Sequence, residues 1–284
     1  MTKLKAKKQG KVRQAKGKPP KRGSSWLVWL LVVVAIVGAA AVAFALIRPT
    51  EQPFMNSLGK PKAAIVDQLY TLHANQVFTE QTTKSLEDFG FEVDVYRGDD
   101  VTVNLYRELP AYDYKLIIFR VHSGVLEVDS RASDTTWMFT NEPYSKVSYF
   151  AEQLSDRVTH ARTHDDAPLV FAISAKFIWE SVGERFNNTV IVMMGCDGLL
   201  SMDLAEAFIA RGASTYIAWD YSVRLDYVDT ATPFLVDRLC GDRLTIEQAV
   251  AQTMQEIRPD PEYGSVLHYF PAKVGDRTIK QLIR

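Results

Sequence analysis

The chain has 284 residues, of which 47% are hydrophobic and 24% are charged. This composition is ordinary for a globular protein, so a disordered or fibrous chain is not expected, and the length allows one large domain or two small ones. The formal net charge of −1 hides a sharp division along the chain. Residues 1–25 hold ten Lys and Arg and no acid, whereas residues 49–284 hold 22 basic and 34 acidic residues, a formal charge of −12.

In chain order, the first predicted element is an apolar run at residues 26–47. Its 22 residues include no charged residue and no proline, and about 20 apolar residues are needed to cross a hydrocarbon core about 30 Å thick. A cleaved signal peptide is the alternative, favoured by the small residues 38–41, but its apolar region usually covers only about 7–15 residues. We therefore predict an uncleaved transmembrane helix.

The basic tail predicts the orientation of this helix, because flanks rich in Lys and Arg stay in the cytoplasm. We expect a single-pass cell-membrane protein with residues 1–25 in the cytoplasm and an extracytoplasmic C-terminal domain. Membrane topology is sufficient to explain the basic tail, so no nucleic-acid partner is predicted. Residues 48–62, with three prolines and one glycine, are predicted to link the helix to a domain at residues 63–284.

Strands and helices alternate along this predicted domain. Predicted strands lie at residues 63–67, 91–96, 114–122, 169–174, 189–195, 214–220 and 265–270, with a hairpin formed by 125–129 and 135–141. Predicted helices lie at residues 77–90, 101–109, 145–158, 175–183, 201–212, 224–239 and 245–257, with a polar loop at 159–168. Ser201 is the expected N-cap and Gly212 the expected C-cap of their helix. The main strands are apolar throughout, which is typical of a mostly parallel sheet covered on both faces, so the predicted fold class is α/β.

His122 and Cys196 each close a long apolar strand, and a glycine follows each of them two residues later, Gly124 and Gly198. Taken alone, a histidine or a cysteine at a strand end is more often structural than catalytic. In sheets of this kind, however, the reactive crevice lies at the carboxyl ends of the strands. Glycines there let backbone N–H groups approach a substrate, and N–H groups beside a thiol can form an oxyanion hole. The two strand ends therefore indicate one site.

The two motifs resemble those of the caspase-like cysteine peptidases, the group that includes caspases, metacaspases, legumains, gingipains, clostripain, separases and CHAT-domain proteases. The motif in that group is an apolar strand ending in His-Gly, followed later by one ending in a small residue, Cys and often x-Gly. Residues 194–198, Met-Gly-Cys-Asp-Gly, are similar to the second part. Residues 204–223 are similar to the helix, Gly-Ala turn, strand and Trp-containing segment of the gingipain and CHAT branches. The resemblance covers about residues 63–260.

Two features depart from that pattern. Ser123 separates His122 from its glycine, so the oxyanion donor on this strand is either Ser123 or Gly124. The 74 positions from His122 to Cys196 exceed the roughly 50 of caspases, and the predicted hairpin and polar loop could fill the difference.

The resemblance implies a caspase-like three-layer α/β/α sandwich with a mostly parallel central sheet. It also implies a catalytic dyad, in which Cys196 attacks the scissile carbonyl and His122 protonates the leaving amine and then helps to activate water. The oxyanion would be held by backbone N–H groups of Cys196 and of Ser123 or Gly124. A peptide or protein is the implied substrate, and no metal or organic cofactor is needed.

Three further residues are candidates for substrate binding. Asp197 and Asp220 could line the pocket for the residue before the cleaved bond, which would favour Arg or Lys there. Solvated loop acids are the competing interpretation for both. Trp219 could pair with the substrate backbone or could equally be a core residue.

Two non-catalytic alternatives stay open from the sequence. One is an inactive caspase-like domain that binds peptides or partners, and the other is an unrelated membrane-anchored α/β sensor or scaffold domain. The sequence also leaves open whether Cys196 and Cys240 pair, because an extracytoplasmic chain can form a disulfide but nothing requires this one.

Overall fold

The computed structural model describes residues 59–128 and 131–284, with the side chains of residues 126–134 left out of the description. The described residues belong to one compact unit, residues 59–284. Within it, no helix is both long enough and apolar enough to span a membrane. The predicted basic tail and transmembrane helix, and most of the linker, lie outside the described residues, so these stay predictions.

Ten strands form in the described residues: β1 (Lys62–Asp67), β2 (Glu92–Arg97), β3 (Tyr114–Arg120), β4 (Ser123–Val128), β5 (Arg131–Pro143), β6 (Val158–Ala161), β7 (Val170–Ser174), β8 (Thr189–Met193), β9 (Ala213–Trp219) and β10 (Leu267–Phe270). Eight α-helices accompany them: α1 (Gln76–Phe89), α2 (Val103–Glu108), α3 (Phe150–Leu154), α4 (Ala175–Glu180), α5 (Asp203–Ala210), α6 (Leu225–Val236), α7 (Ile246–Ile257) and α8 (Ile279–Leu282).

The main sheet has six strands in the order β10-β9-β8-β3-β1-β2. Every neighbouring pair is parallel except β9 and β10, which are antiparallel. The predicted α/β class with a mostly parallel sheet is therefore confirmed. In this order the chain moves outward from β1 to β2 and then returns to the other side of β1 with β3. Such a reversal opens a crevice at the carboxyl ends of β1 and β3, because the connections that leave these two neighbouring strands run in opposite directions.

Alternate residues of the strands feed two apolar clusters on opposite faces of the main sheet. On β3, Ile117 and Phe119 belong to the first cluster, which also includes residues of α2, α4 and α5. Ile118 belongs to the second, with residues of α1, α6 and α7. Both faces are thus covered by helices, as the continuous apolar strands predict.

A second sheet, of four antiparallel strands in the order β4-β5-β7-β6, was only partly predicted. The hairpin of β4 and β5 and the strand at residues 169–174 were expected, but their assembly into a separate antiparallel sheet was not. The predicted helix at 145–158 is wrong in extent, since only Phe150–Leu154 is α-helical. The predicted loop at 159–168 is wrong at its start, because residues 158–161 form β6, with Val158 buried in the first cluster.

The caps of α5 differ from the predicted ones. The helix begins at Asp203 rather than at Ser201, and Met202 is its N-cap without a side-chain hydrogen bond. Ser201 Oγ accepts a hydrogen bond of 3.3 Å from the Asp203 N–H, so it supports the turn before the helix. Gly212 does end this element, one residue beyond the C-cap, with a left-handed φ of +106°.

Candidate active site

The two residues singled out in the sequence follow neighbouring strands at the same height. Phe119 of β3 pairs with Met193 of β8 in a parallel register. His122 and Cys196 each lie three residues beyond that pair. Parallel strands end at one edge of the sheet, so the fold brings both residues to the carboxyl edge.

The backbone segments that carry the two residues touch. Ser123 Oγ donates a hydrogen bond of 2.5 Å to the carbonyl oxygen of Cys196. A Cβ on Gly195 would lie 2.1 Å from Ser123 Oγ and 2.7 Å from the carbonyl oxygen of Val121. A glycine before the cysteine is therefore required by the close approach of the two strand ends.

The Cys196 thiol is half-buried and hydrogen-bonds to the backbone of one residue. It donates to the Val223 carbonyl oxygen at 3.6 Å and accepts from the Val223 N–H at 3.5 Å. Burial raises the pKa of the thiol, the Val223 N–H lowers it, and the charge of Asp197 raises it again. The net direction is upward, so the thiol is protonated at neutral pH. The helix that follows Cys196 along the chain, α5, begins only at Asp203, seven residues further on.

His122 is also half-buried, and its ring centroid lies 5.9 Å from that of Phe139. Its backbone N–H donates to Gln68 Oε1 at 2.9 Å. Burial, with smaller electrostatic contributions from His73 and Arg120, lowers the pKa of His122 to about 4. The imidazole is therefore neutral at neutral pH and able to accept a proton. Among the hydrogen bonds between described residues, none joins this ring to the Cys196 thiol.

The register of β4 distinguishes the two candidate oxyanion donors that follow His122. The His122 carbonyl oxygen accepts from the N–H of Phe139, which lies directly opposite. Hydrogen-bonded and non-hydrogen-bonded pairs alternate in an antiparallel ladder. Gly124, opposite Trp137, is thus the next hydrogen-bonded position, whereas the Ser123 N–H points away from β5. Of the two, Ser123 is the better placed donor.

Asp197 is buried rather than open to a substrate, with an exposure of 7%. Its carboxylate accepts hydrogen bonds from the Val125 N–H and from Ser222 Oγ, the latter at 3.3 Å. Its backbone has a left-handed φ of +58°, and its carbonyl oxygen accepts from Thr136 Oγ1 at 2.9 Å. Burial raises the pKa of this carboxyl group. Asp197 therefore fastens β4 and β5 to the segment after Cys196.

The other two candidate substrate-binding residues lie at the end of β9, the strand beyond β8. Trp219 is 1% exposed, and its ring centroid lies 5.2 Å from that of Tyr227 in the second cluster. Asp220 is partly exposed, and its Oδ1 accepts from the Val266 N–H at 2.8 Å and from Ser265 Oγ at 3.0 Å. The structure thus places Trp219 in the core and joins Asp220 to the loop before β10.

Two cavities border the residues that flank the pair. One cavity, of about 710 Å³, is lined by His73, Arg224 and Leu225 among others. Arg224 and Leu225 directly follow Val223, the residue that hydrogen-bonds to the thiol. The other, of about 670 Å³, is lined by Gly124 and by the Phe139 side chain that neighbours the His122 ring. Each cavity thus borders a residue next to the pair, although neither is lined by His122 or Cys196 itself.

A buried ion network behind the pair was not predicted. Arg120 is fully buried; its Nη1 donates to Asp67 Oδ1 at 2.7 Å, and its Nε and Nη2 donate to the two carboxylate oxygens of Asp229 at 2.7 and 2.8 Å. Its Nη2 also donates to the carbonyl oxygen of His73 at 3.0 Å, so it positions the segment beside His122. The available signal was an arginine closing an otherwise apolar strand, two residues before the histidine.

Asp260 is a second residue that the sequence did not single out. It is 2% exposed, and its carboxylate accepts from the backbone N–H groups of Arg224, Glu262 and Tyr263 at 2.9 Å each. It thereby fixes the loop before β10 to Arg224. The preceding residue, Val223, is the one that hydrogen-bonds to the Cys196 thiol. No signal in the local sequence separates Asp260 from an ordinary loop acid.

Cys196 and Cys240 are both free thiols, and Cys240 is buried in the turn that follows α6. In residues 59–128 and 131–284, no group of three or more His, Cys, Asp or Glu is arranged to hold a metal ion.

Comparison of the sequence with models of known protein families gives no match, and comparison with curated proteins gives none either. The caspase-like resemblance therefore stays a prediction that depends on the residues themselves.

Proposed function

We propose that this protein is a membrane-anchored cysteine endopeptidase of the caspase-like type, with His122 and Cys196 as its catalytic dyad. One observation carries the proposal. The two residues lie three positions beyond the paired residues Phe119 and Met193, on adjacent parallel strands and at the edge where such sheets bind ligands.

The proposed reaction begins with both partners neutral. As the sulfur of Cys196 attacks the scissile carbonyl, its proton passes to the neutral imidazole of His122, and the Ser123 and Cys196 N–H groups hold the oxyanion. The imidazolium then gives that proton to the leaving amine, which departs and leaves an acyl-enzyme. Water, activated by His122, hydrolyses the thioester and restores the thiol.

The hydrogen bonds between the resting thiol and Val223 place one requirement on the proposed reaction. The Val223 hydrogen bonds to the thiol must be released or lengthened as the sulfur turns toward a substrate and His122. Hydrogen bonds at catalytic sites are often loose without substrate and tighten when it binds. Substrate binding in the two flanking cavities would supply the free energy for this rearrangement.

A preference for Arg or Lys before the cleaved bond is part of the proposal and rests on carboxylates near the dyad. Asp226 and Asp229 line the larger cavity, beside the Cys196 contact. Both already interact with arginines, Asp226 with Arg224 and Asp229 with Arg120. A basic side chain would therefore share these carboxylates rather than find unpaired ones, so the expected preference is modest.

One observation favours a second candidate function, a caspase-like domain that binds peptides without cleaving them. The thiol interacts with Val223 and makes no hydrogen bond to the histidine. In such a domain the two cavities would hold a partner peptide, and His122 and Cys196 would only support the strand ends.

The test is a cleavage assay of the full-length chain in detergent micelles, under reducing conditions, with fluorogenic peptides carrying Arg, Lys, Asp or Asn before the cleaved bond. Cys196→Ala should abolish cleavage, and His122→Ala should lower kcat/KM by about 10²–10⁴-fold. Cys240→Ala and His164→Ala, which alter a buried free thiol and an exposed loop histidine, are the matched controls and should retain activity.

Cleavage that survives Cys196→Ala would refute the dyad. Absence of cleavage with every peptide, together with no labelling of Cys196 by a peptide-based electrophile, would favour the binding domain. The preferred peptide, if cleavage occurs, tests the expected preference for basic residues separately.

A further inference from the structure

A buried glutamine, Gln68, contacts the backbone of the proposed catalytic histidine. Gln68 directly follows β1 and is 1% exposed. Its Oε1 accepts a hydrogen bond of 2.9 Å from the His122 N–H. A buried side-chain amide costs free energy unless its polar atoms are paired, so a glutamine at this position depends on the contacts that it makes.

The side chain of Asn141, on β5, determines which end of the Gln68 amide faces the histidine. Gln68 Nε2 donates to Asn141 Oδ1 at 2.5 Å, and Asn141 Nδ2 donates to the Gln68 carbonyl oxygen at 2.9 Å. The Asn141 backbone N–H donates to the Val101 carbonyl oxygen at 2.8 Å, so Asn141 is itself held in place. Because Asn141 holds the nitrogen of the Gln68 amide, the oxygen is left to accept from the His122 N–H. We call Gln68 and Asn141 the amide pair.

The register of the main sheet brings Gln68 within reach of His122. Asp67, the residue before Gln68, pairs with Arg120 in the parallel register of β1 and β3. The side chains of Asp67 and Arg120 also form a fully buried ion pair of 2.7 Å. Gln68 and His122 therefore leave adjacent strands one and two residues beyond a point that is fixed on both strands.

Strand β5 holds His122 at two further points. The His122 carbonyl oxygen accepts from the Phe139 N–H at 2.9 Å, and the two ring centroids lie 5.9 Å apart. Phe139 and Asn141 lie two residues apart on β5, so one strand holds the histidine directly and also through the amide pair. The N–H, the C=O and the ring of His122 each have a partner, whereas the Cys196 thiol is held by the backbone of Val223.

We propose that Gln68 is a positioning residue: it holds the His122 backbone so that the imidazole stays in place while the Cys196 thiol turns toward it. The inference rests on the proposed function. A general base that is already in place lowers the free energy needed to reach the reactive geometry, and a misplacement of about 1 Å can cost about 100-fold in rate. Asn141 acts through Gln68, because it fixes the orientation of the amide.

Four variants separate the role of the Gln68 oxygen from that of its bulk. Gln68→Met keeps the length of the side chain and removes the acceptor, whereas Gln68→Glu keeps an oxygen opposite the His122 N–H. Asn141→Leu leaves Gln68 in place and removes the group that orients it; Asn141 is half-buried, so this variant serves if Gln68→Met does not fold. Gln281→Met is the matched control, because Gln281 Oε1 also accepts a backbone N–H, from Thr278 at 2.8 Å.

The first measurement does not depend on cleavage. It follows the titration of the His122 imidazole by NMR, in the full-length chain in detergent micelles, with the signal assigned by its loss in His122→Asn. The midpoint should lie near pH 4 in the wild type and in Gln281→Met. In Gln68→Met and Asn141→Leu the released ring is less buried, so the midpoint should rise toward about 6.5. His73 and Arg120, whose charges act on this ring, are unchanged in every variant.

The second measurement is the cleavage assay with the preferred peptide. Gln68→Met should lower kcat and kcat/KM together by about 10–100-fold, because a misplaced base weakens binding of the transition state and not of the substrate. Gln68→Glu should restore most of the lost kcat. The double variant of Gln68→Met with Asn141→Leu should be no slower than Gln68→Met alone, since both substitutions remove the same contact.

The two measurements together decide the inference. A raised midpoint with an equal fall in kcat and kcat/KM supports it. A midpoint that stays near pH 4 in folded Gln68→Met and Asn141→Leu would overturn it, and so would a kcat that Gln68→Met leaves unchanged. A wild type that cleaves no peptide would refute the proposed function, whereas a raised midpoint in the same chains would still support the hold of Gln68 on His122.

Discussion

At the residue scale, Gly195 lies where the two strand ends approach each other closely. A methyl group there would meet the Val121 carbonyl oxygen, which is backbone and cannot turn away. We predict that Gly195→Ala lowers the free energy of unfolding by about 1–3 kcal/mol, as overpacking usually does, and displaces Cys196. Urea denaturation would measure the loss. Gly183→Ala is the control, because a Cβ there meets nothing within 4 Å; equal effects of the two substitutions would refute the close approach.

His122 gives a prediction about pH. Its pKa is about 4 in the folded chain and about 6.5 in an unfolded one. Between these values the unfolded chain binds more protons, so the free energy of unfolding falls as the pH is lowered from 6.5 toward 4. The loss due to this residue is up to about 3 kcal/mol.

The measurement for this prediction is urea denaturation of the wild type and of His122→Asn at pH 7.0 and at pH 4.5. The variant should lose less stability between the two pH values, because it has no proton to bind at position 122. From pH 7 to pH 8 the two proteins should change alike, since the imidazole is neutral in both states there. A wild type and a variant with the same loss on acidification would show that the ring is not buried as described.

At the element scale, Arg120 joins β1, β3 and α6 through Asp67 and Asp229. Removing one partner of a buried ion network leaves charges without compensation. We predict that Arg120→Met lowers the free energy of unfolding by about 3–5 kcal/mol in urea denaturation. Arg224→Met breaks an exposed pair and should have no measurable effect, because solvent screens such charges. A small effect of Arg120→Met would mean that the carboxyl groups are neutral in the fold.

Strand β3 also shows why the main sheet could be predicted from the sequence. Residues 116–119 are apolar without alternation, which indicates a strand buried on both faces, and residues 190–193 of β8 and 216–219 of β9 share that pattern. The second sheet carries a weaker signal. Residues 158–161, Val-Thr-His-Ala, form a short strand only because β7 offers a partner, and no local pattern reveals a partner that lies elsewhere in the chain.

The candidate site was predictable to a similar degree. The approach of His122 and Cys196 to one edge follows from the parallel direction of their strands, which the sequence indicates. The burial of Asp197 could not be predicted from the sequence, because its partners Val125 and Ser222 lie far along the chain on both sides. Its left-handed backbone depends on those same contacts. Contacts between loops depend on how the elements pack, and the sequence predicted only the elements.

At the scale of the whole molecule, the described residues of 59–284 build two apolar clusters, with helices on each face of the main sheet. We predict that residues 59–284 produced alone fold cooperatively and that peptides from β3, β8 and β9 exchange their amide hydrogens as slowly as in the full chain. Residues 92–284 are the control: they lack β1 and α1, so β2 and β3 lose the strand between them, and Phe78 and Leu86 leave the second cluster. Rapid exchange throughout 59–284 would show that the domain needs residues 1–58 to fold, whereas slow exchange in 92–284 would show that β1 is not the strand that joins the two halves of the sheet.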